Sequence, residues 1–107
     1  SKYSDLAMRQ LDYLLGENSL SMCYVTGYGT LCPDDTHHRT SSATGSTVKG
    51  MLVGGPNKGL EDPYIANVCQ GLPPAKCYAD NQQSYASNEV TIYWNSPLAV
   101  LLTELMQ

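Results

Sequence analysis

Apolar residues recur at helical spacing at the two ends of the chain. From Ser4 onward, Ala7, Leu11, Leu14 and Leu15 fall on one helical face, and Leu6 widens the stripe. Ser4 suits the cap position and Gly16 supplies a stop, so the spacing predicts a helix over Ser4–Leu15. The far end mirrors it. Ser96 can cap, Pro97 suits a first helical turn, and Leu98, Leu101, Leu102 and Leu105 form a second stripe running to the C-terminus. Both stripes need an apolar partner, most simply each other. Roughly eighty residues join them without a sustained helical period, punctuated by Gly, Pro, Ser, Thr and Asn. Strand-like pieces are predicted over Met22–Thr26 and Val48–Val53. So long a connection is unusual in a compact domain. Either it packs on itself with covalent help, or the chain is part of something larger.

Composition narrows the classes. The 107 residues make about one domain, with no repeat, low-complexity linker or internal boundary. A hydrophobic fraction of 42%, a charged fraction of 15% and a net charge of −4 do not describe a disordered chain. No Lys/Arg cluster offers a nucleic-acid footprint, and no apolar run is long enough to span a membrane. The opening Ser1-Lys2-Tyr3-Ser4-Asp5 has no signal-peptide core, so any export signal is expected upstream or already removed. The cysteines come as two close pairs, Cys23 with Cys32 and Cys69 with Cys77. An even number in loop-rich sequence predicts disulfides in an oxidising compartment, with three connectivities open. The intervals are too long for a compact zinc site. His37 and His38, adjacent in an extended segment, should point apart rather than share an ion. No metal or cofactor is called for.

The chemistry concentrates in Tyr78–Ser96, where Asp80 and Glu89 sit among Tyr, Trp, Asn and Gln with almost no counter-charge. Desolvation against aromatic rings favours a protonated carboxyl, the state a proton donor needs. Aromatic rings also stack on the apolar faces of sugars. The plainer reading is a polar loop whose acids cap turns and face water. Upstream, His37 and Arg39 present several N–H groups that can bond sugar hydroxyls or steady a carboxylate, or else form an exposed polar turn. The Gly54-Gly55-Pro56 turn ends an apolar piece and lacks the Lys-Ser/Thr of a phosphate loop.

Tyr78, Asp80, Tyr85, Glu89, Thr91, Asn95 and Ser96 together resemble the second signature of glycoside hydrolase family 9, the inverting endoglucanases and cellobiohydrolases. Val25, Thr26, Gly29, His37 and Arg39 are similar to its first signature, although Cys23, Leu31 and Thr36 depart from the preferred residues. Gly50-Met51-Leu52-Val53-Gly54-Gly55-Pro56, Glu61-Asp62-Pro63-Tyr64 and Gln10-Leu11-Asp12-Tyr13-Leu14-Leu15-Gly16 match further segments, so the resemblance covers nearly the whole chain in order. It implies an all-α chain, the C-terminal part of an (α/α)6 barrel, with two helices joined by a long irregular active-site connection. It implies Glu89 as general acid, Asp80 and His37 as further catalytic residues, and Arg39, with His37, as a contact to glucosyl units of cellulose or cello-oligosaccharide; Tyr85 and Trp94 read as substrate contacts in the same cleft or else as core aromatics. Cys69–Cys77 looks like an insertion closed by a disulfide. The family's Asp-Ala-Gly-Asp base motif is missing from these residues. Self-association or binding to the remainder of a catalytic domain is therefore expected, as is secretion; structural calcium belongs to the family's complete domain.

Overall fold

A computed structural model describes residues 2–107. Its regular elements are helices: α1 (Lys2–Leu15), α2 (Arg39–Thr44), α3 (Pro63–Val68), α4 (Tyr85–Asn88) and α5 (Ile92–Leu105), with a single 3-10 turn at Pro74–Lys76. The two long helices, α1 and α5, pack against each other at the base of the molecule. Leu11 and Leu14 of α1 and Leu98 of α5 meet a core of Met22, Cys23, Tyr24, Val25, Leu52 and Val53. Leu6 and Leu15 stand outside it, each about half exposed.

Both helices begin earlier than their local cap signals predict. α1 already runs at Lys2, which leaves Ser4 inside its first turn. α5 begins at Ile92 after Thr91, so Ser96 and Pro97 lie within it. The reason for the second shift is Asn95. Its side chain accepts from Leu52 N–H at 2.8 Å, and its amide nitrogen donates to Leu52 C=O at 3.0 Å and Thr91 C=O at 2.8 Å. The first turn of α5 thereby acts as a pairing partner for an extended segment. Pro97, still close to the helix start, removes only one intrahelical bond.

The C-terminus of α1 behaves as expected. Gly16 takes φ +142°, which favours glycine. The helix-end carbonyls then find partners: Glu17 N–H donates to Asp12 O at 2.8 Å, Asn18 Nδ2 to Tyr13 O at 2.7 Å, and Tyr24 N–H to Leu14 O at 2.8 Å.

The connection is more ordered than its sequence suggests, because three short helices and three isolated bridges brace it. The bridges are Val25 with Leu52 and Val53 with Val90, both antiparallel, and His37 with Glu89, parallel. Neither predicted strand runs continuously. Lys49-Gly50 turns the chain, and the Thr26 hydroxyl, rather than a ladder, ties Val48 and Met51 together. α3 starts where Asp62 caps Ile65 N–H at 2.7 Å, with Pro63 in the first turn.

The expected disulfides are not shown: all four cysteines stand unbonded to one another in the structure. Three of the sulfurs are turned toward backbone carbonyls, Cys23 toward Val25 O at 3.6 Å, Cys69 toward Tyr78 O at 3.6 Å and Cys77 toward Pro73 O at 3.3 Å. Cys69 and Cys77 share a small second core with Ile65. Burial there, with Cys77 alongside, pushes the Cys69 thiol above its ordinary range.

Candidate active site

The Glu89 segment is fixed from below. The hydroxyls of Ser84 and Ser87 lie 2.7 Å apart, and Ser84 Oγ donates to the buried Asp62 carboxylate at 2.8 Å. The same carboxylate accepts Ala86 N–H at 2.9 Å, so one buried acid joins the starts of α3 and α4. Burial alone would raise the Asp62 carboxyl. The N–H groups of Ile65, Ala86 and Tyr64 and the Ser84 hydroxyl outweigh it and hold Asp62 below the ordinary aspartate value.

α4 ends at Asn88, and Glu89 follows in extended conformation, half-buried. Its backbone carbonyl accepts Gly54 N–H at 3.2 Å. On its other side runs the 34–38 loop. His37 N–H donates to Asn88 O at 2.9 Å, and Val90 N–H donates back to His37 O at 3.4 Å. Sequence positions more than fifty apart are thus made backbone neighbours.

Beside this contact lies an open groove of about 1130 Å³, lined by His37, His38, Arg39, Gln82, Gln83 and Glu89 among others. Glu89 is the one carboxylate among its lining residues. His37 Nδ1 lies 2.7 Å from the Gln82 carbonyl. A carbonyl only accepts, so Nδ1 carries the proton and Nε2 is the ring's other polar atom. The Tyr85 ring sits edge-on to His37, 6.1 Å between centroids, and its hydroxyl donates to Glu61 O at 3.3 Å. Arg39, exposed at the start of α2, lines the same groove. His38 turns its Nδ1 to the Ser41 hydroxyl at 2.9 Å, so the two histidine rings serve different partners.

Asp80 is engaged differently. Its carboxylate accepts Asp34 N–H at 2.8 Å, Asp35 N–H at 2.9 Å and Asn88 Nδ2 at 3.1 Å. It holds the loop that carries His37, and it is absent from the lining of the groove. Trp94 lies apart as well. It is 37% exposed, packs over Gly54 and lines an apolar hollow with Leu14, Leu52, Tyr93 and Leu101. Glu89, His37 and Arg39 are therefore brought together, with Tyr85 at the margin, while Asp80 and Trp94 stand outside.

Sequence reasoning gave no role to Asp62, Asn88 or Asn95, which carry much of the support. The Asp62-Pro63 pair is an ordinary helix-start signal and could have found the first. Asn95 is a position of the second signature, which gave it no physical task, and no local pattern points to Asn88. Among the described residues no group of three His, Cys, Asp or Glu side chains could hold a metal ion.

The family model for glycosyl hydrolase family 9 matches residues 1–102. The chain is 43% identical over 105 residues to a xyloglucan-specific endo-β-1,4-glucanase of Bacteroides ovatus, covering 96% of this chain and 17% of that protein. It is also 43% identical over 105 residues to a cellulose 1,4-β-cellobiosidase of Acetivibrio thermocellus, covering 92% of this chain and 12% of that protein. A thermostable endoglucanase from Alicyclobacillus acidocaldarius superposes with a TM-score of 0.94 at 42% identity, over 97% of this chain and 20% of the other. AaCel9A, solved in complex with cellobiose-like isofagomine, superposes with a TM-score of 0.89 at 43% identity, over 96% and 20%. The chain belongs to glycosyl hydrolase family 9. It spans a fifth or less of the length of these relatives.

Proposed function

We propose that this chain is the acid-bearing C-terminal part of an (α/α)6-barrel β-1,4-glucan hydrolase that works by inversion. The reading rests on one observation above all: Glu89, His37 and Arg39 line one groove, with His37 and Glu89 paired through their backbones. Glu89 hands its proton to the departing glycosidic oxygen as the bond to the anomeric carbon breaks. His37 and Arg39 donate N–H groups to sugar hydroxyls, and Tyr85 bounds the groove beside them. Asp80 serves the reaction by holding the His37 loop. Inversion needs a second carboxylate on the opposite face of the sugar, about 6.5–9.5 Å away, to activate water. The groove lining contains no second carboxylate, and the chain has no Asp-Ala-Gly-Asp sequence. The base must therefore come from the remainder of a catalytic domain.

That same observation favours a second reading for the isolated 107 residues: they bind cello-oligosaccharide without turning it over. Calorimetry with cellohexaose, run beside a hydrolysis assay, separates the two, since binding without turnover is the expected result for the chain alone. The substrate polymer is too large to enter a cell, which supports export; activity retained inside fractionated cells would count against that.

Glu89→Gln in the full-length protein that carries this chain preserves shape and removes the transferable proton. Its activity on carboxymethyl-cellulose is expected to fall by about 100-fold or more. Undiminished hydrolysis would remove Glu89 from the role.

A further inference from the structure

Asn88 immediately precedes Glu89 and is completely buried. Its side-chain amide joins three separate segments. Nδ2 donates to Asp35 O at 2.9 Å and to Asp80 Oδ1 at 3.1 Å, while Oδ1 accepts the Tyr78 hydroxyl. Its backbone is equally committed: N–H donates to Ser84 O at 2.8 Å, and C=O accepts His37 N–H at 2.9 Å. A carbonyl and a carboxylate can only accept, so the amide has one workable orientation. Burial, with the Asp80 carboxylate and Tyr24 nearby, pushes the Tyr78 hydroxyl well above the ordinary tyrosine value, so it remains a donor.

No other common side chain of this size offers two donors and an acceptor at a fixed separation. Aspartate would set a second carboxylate against Asp80 and face Asp35 O with no donor. Alanine would leave buried groups without partners. Either change loosens the contact between the 34–37 loop and the residue before Glu89, although Asn88 itself does not line the groove.

We propose that Asn88 is a positioning residue for the proton donor, fixing where Glu89 stands relative to His37. This rests on the reading of Glu89 as the acid, so the test must tell the two apart. A misplaced acid matters most when the leaving group needs a proton and least when it does not. In the full-length protein, Asn88→Ala and Tyr78→Phe are assayed on cellotetraose, whose leaving sugar requires protonation, and on dinitrophenyl β-cellobioside, whose leaving phenolate does not. A merely structural defect lowers kcat on both substrates by the same factor, whatever fraction of the sample is folded.

The expected result for Asn88→Ala is a kcat loss on cellotetraose at least tenfold greater than on the aryl cellobioside. KM should change much less than kcat. If Asn88→Ala yields no folded protein, Tyr78→Phe, which removes one hydroxyl, carries the test with an expected differential of at least threefold. Smaller differentials overturn the proposal. Glu89→Gln supplies the control: a leaving-group preference in Glu89→Gln without one in the other variants ends the Asn88 inference alone. No preference in Glu89→Gln ends the underlying reading as well.

Discussion

At the scale of single residues, the support for the site lies in buried polar groups that are fully partnered. Asp62 is the clearest case. It caps α3 and holds α4 by charge-assisted bonds, and its carboxyl sits below the ordinary value. A folded-state value below the unfolded one gives stability that is fully present above the unfolded pKa of about 3.9 and is lost as pH falls through the folded pKa. Asp62→Ala should cost roughly 2–4 kcal/mol near neutral pH, combining a lost cap with lost bonds to a charged acceptor. Asp62→Asn should cost less, and its deficit should shrink as pH drops below about 4. Urea unfolding from pH 7 to pH 3 measures both, and a pH-independent deficit for Asp62→Asn would contradict the account. The tyrosines of the core stand apart from this logic. Tyr24 lies with its ring centroid 6.0 Å from that of Tyr13 and 5.7 Å from that of Tyr78, and burial beside Tyr13 pushes its hydroxyl up to about 12, so it stays neutral throughout.

At the scale of elements, what could be read beforehand depended on how far each interaction reaches along the chain. The leucine spacings of α1 and α5 are local, and they marked two helices with ends wrong by a few residues. The start of α5 differs because Asn95 pairs with Leu52, 43 positions earlier, as well as with Thr91 one turn back. The grouping of Glu89, His37 and Arg39 followed from the two signature matches. The clasp beneath it did not, since Asn88 reaches Asp35 across 53 positions and no periodicity encodes such a bond. On sequence Trp94 counts among the cleft aromatics, with core packing as the alternative. The helical turn between Glu89 and Trp94 carries it to another face, over Gly54. That contact is testable. A Cβ on Gly54 would fall 2.9 Å from two ring carbons of Trp94, too close to be accommodated in place. Gly54→Ala should therefore displace the indole at a cost of about 1–3 kcal/mol. Trp94 is the only tryptophan, so a shift in emission reports it directly; an unchanged spectrum with unchanged stability would show that the ring yields freely.

At the scale of the whole molecule, the two long helices leave apolar side chains open to solvent. α5 carries apolar residues well beyond the stripe that meets the core, as a helix covered on more than one side does. Leu98 is buried, yet Ile92, Tyr93 and Val100 are 81%, 86% and 60% exposed. Across α1, Tyr3, Leu6 and Met8 are also exposed, and apolar hollows open between the two helices. The radius of gyration, 14.0 Å, exceeds the roughly 13 Å expected of a self-contained domain of this length. The relatives are five or more times longer than the stretch they share with this chain. The expected behaviour follows. Light scattering of the isolated 107 residues at micromolar concentration should give a mass above that of one chain. Co-expression with the upstream part of a family 9 catalytic domain should give a one-to-one complex in which Tyr93 and Val100 are protected from hydroxyl-radical labelling. Val100→Asp should weaken that complex at least tenfold while leaving the His37–Glu89 contact, in which Val100 takes no part, undisturbed. A folded, monodisperse monomer that ignores the upstream part would show that these faces need no cover.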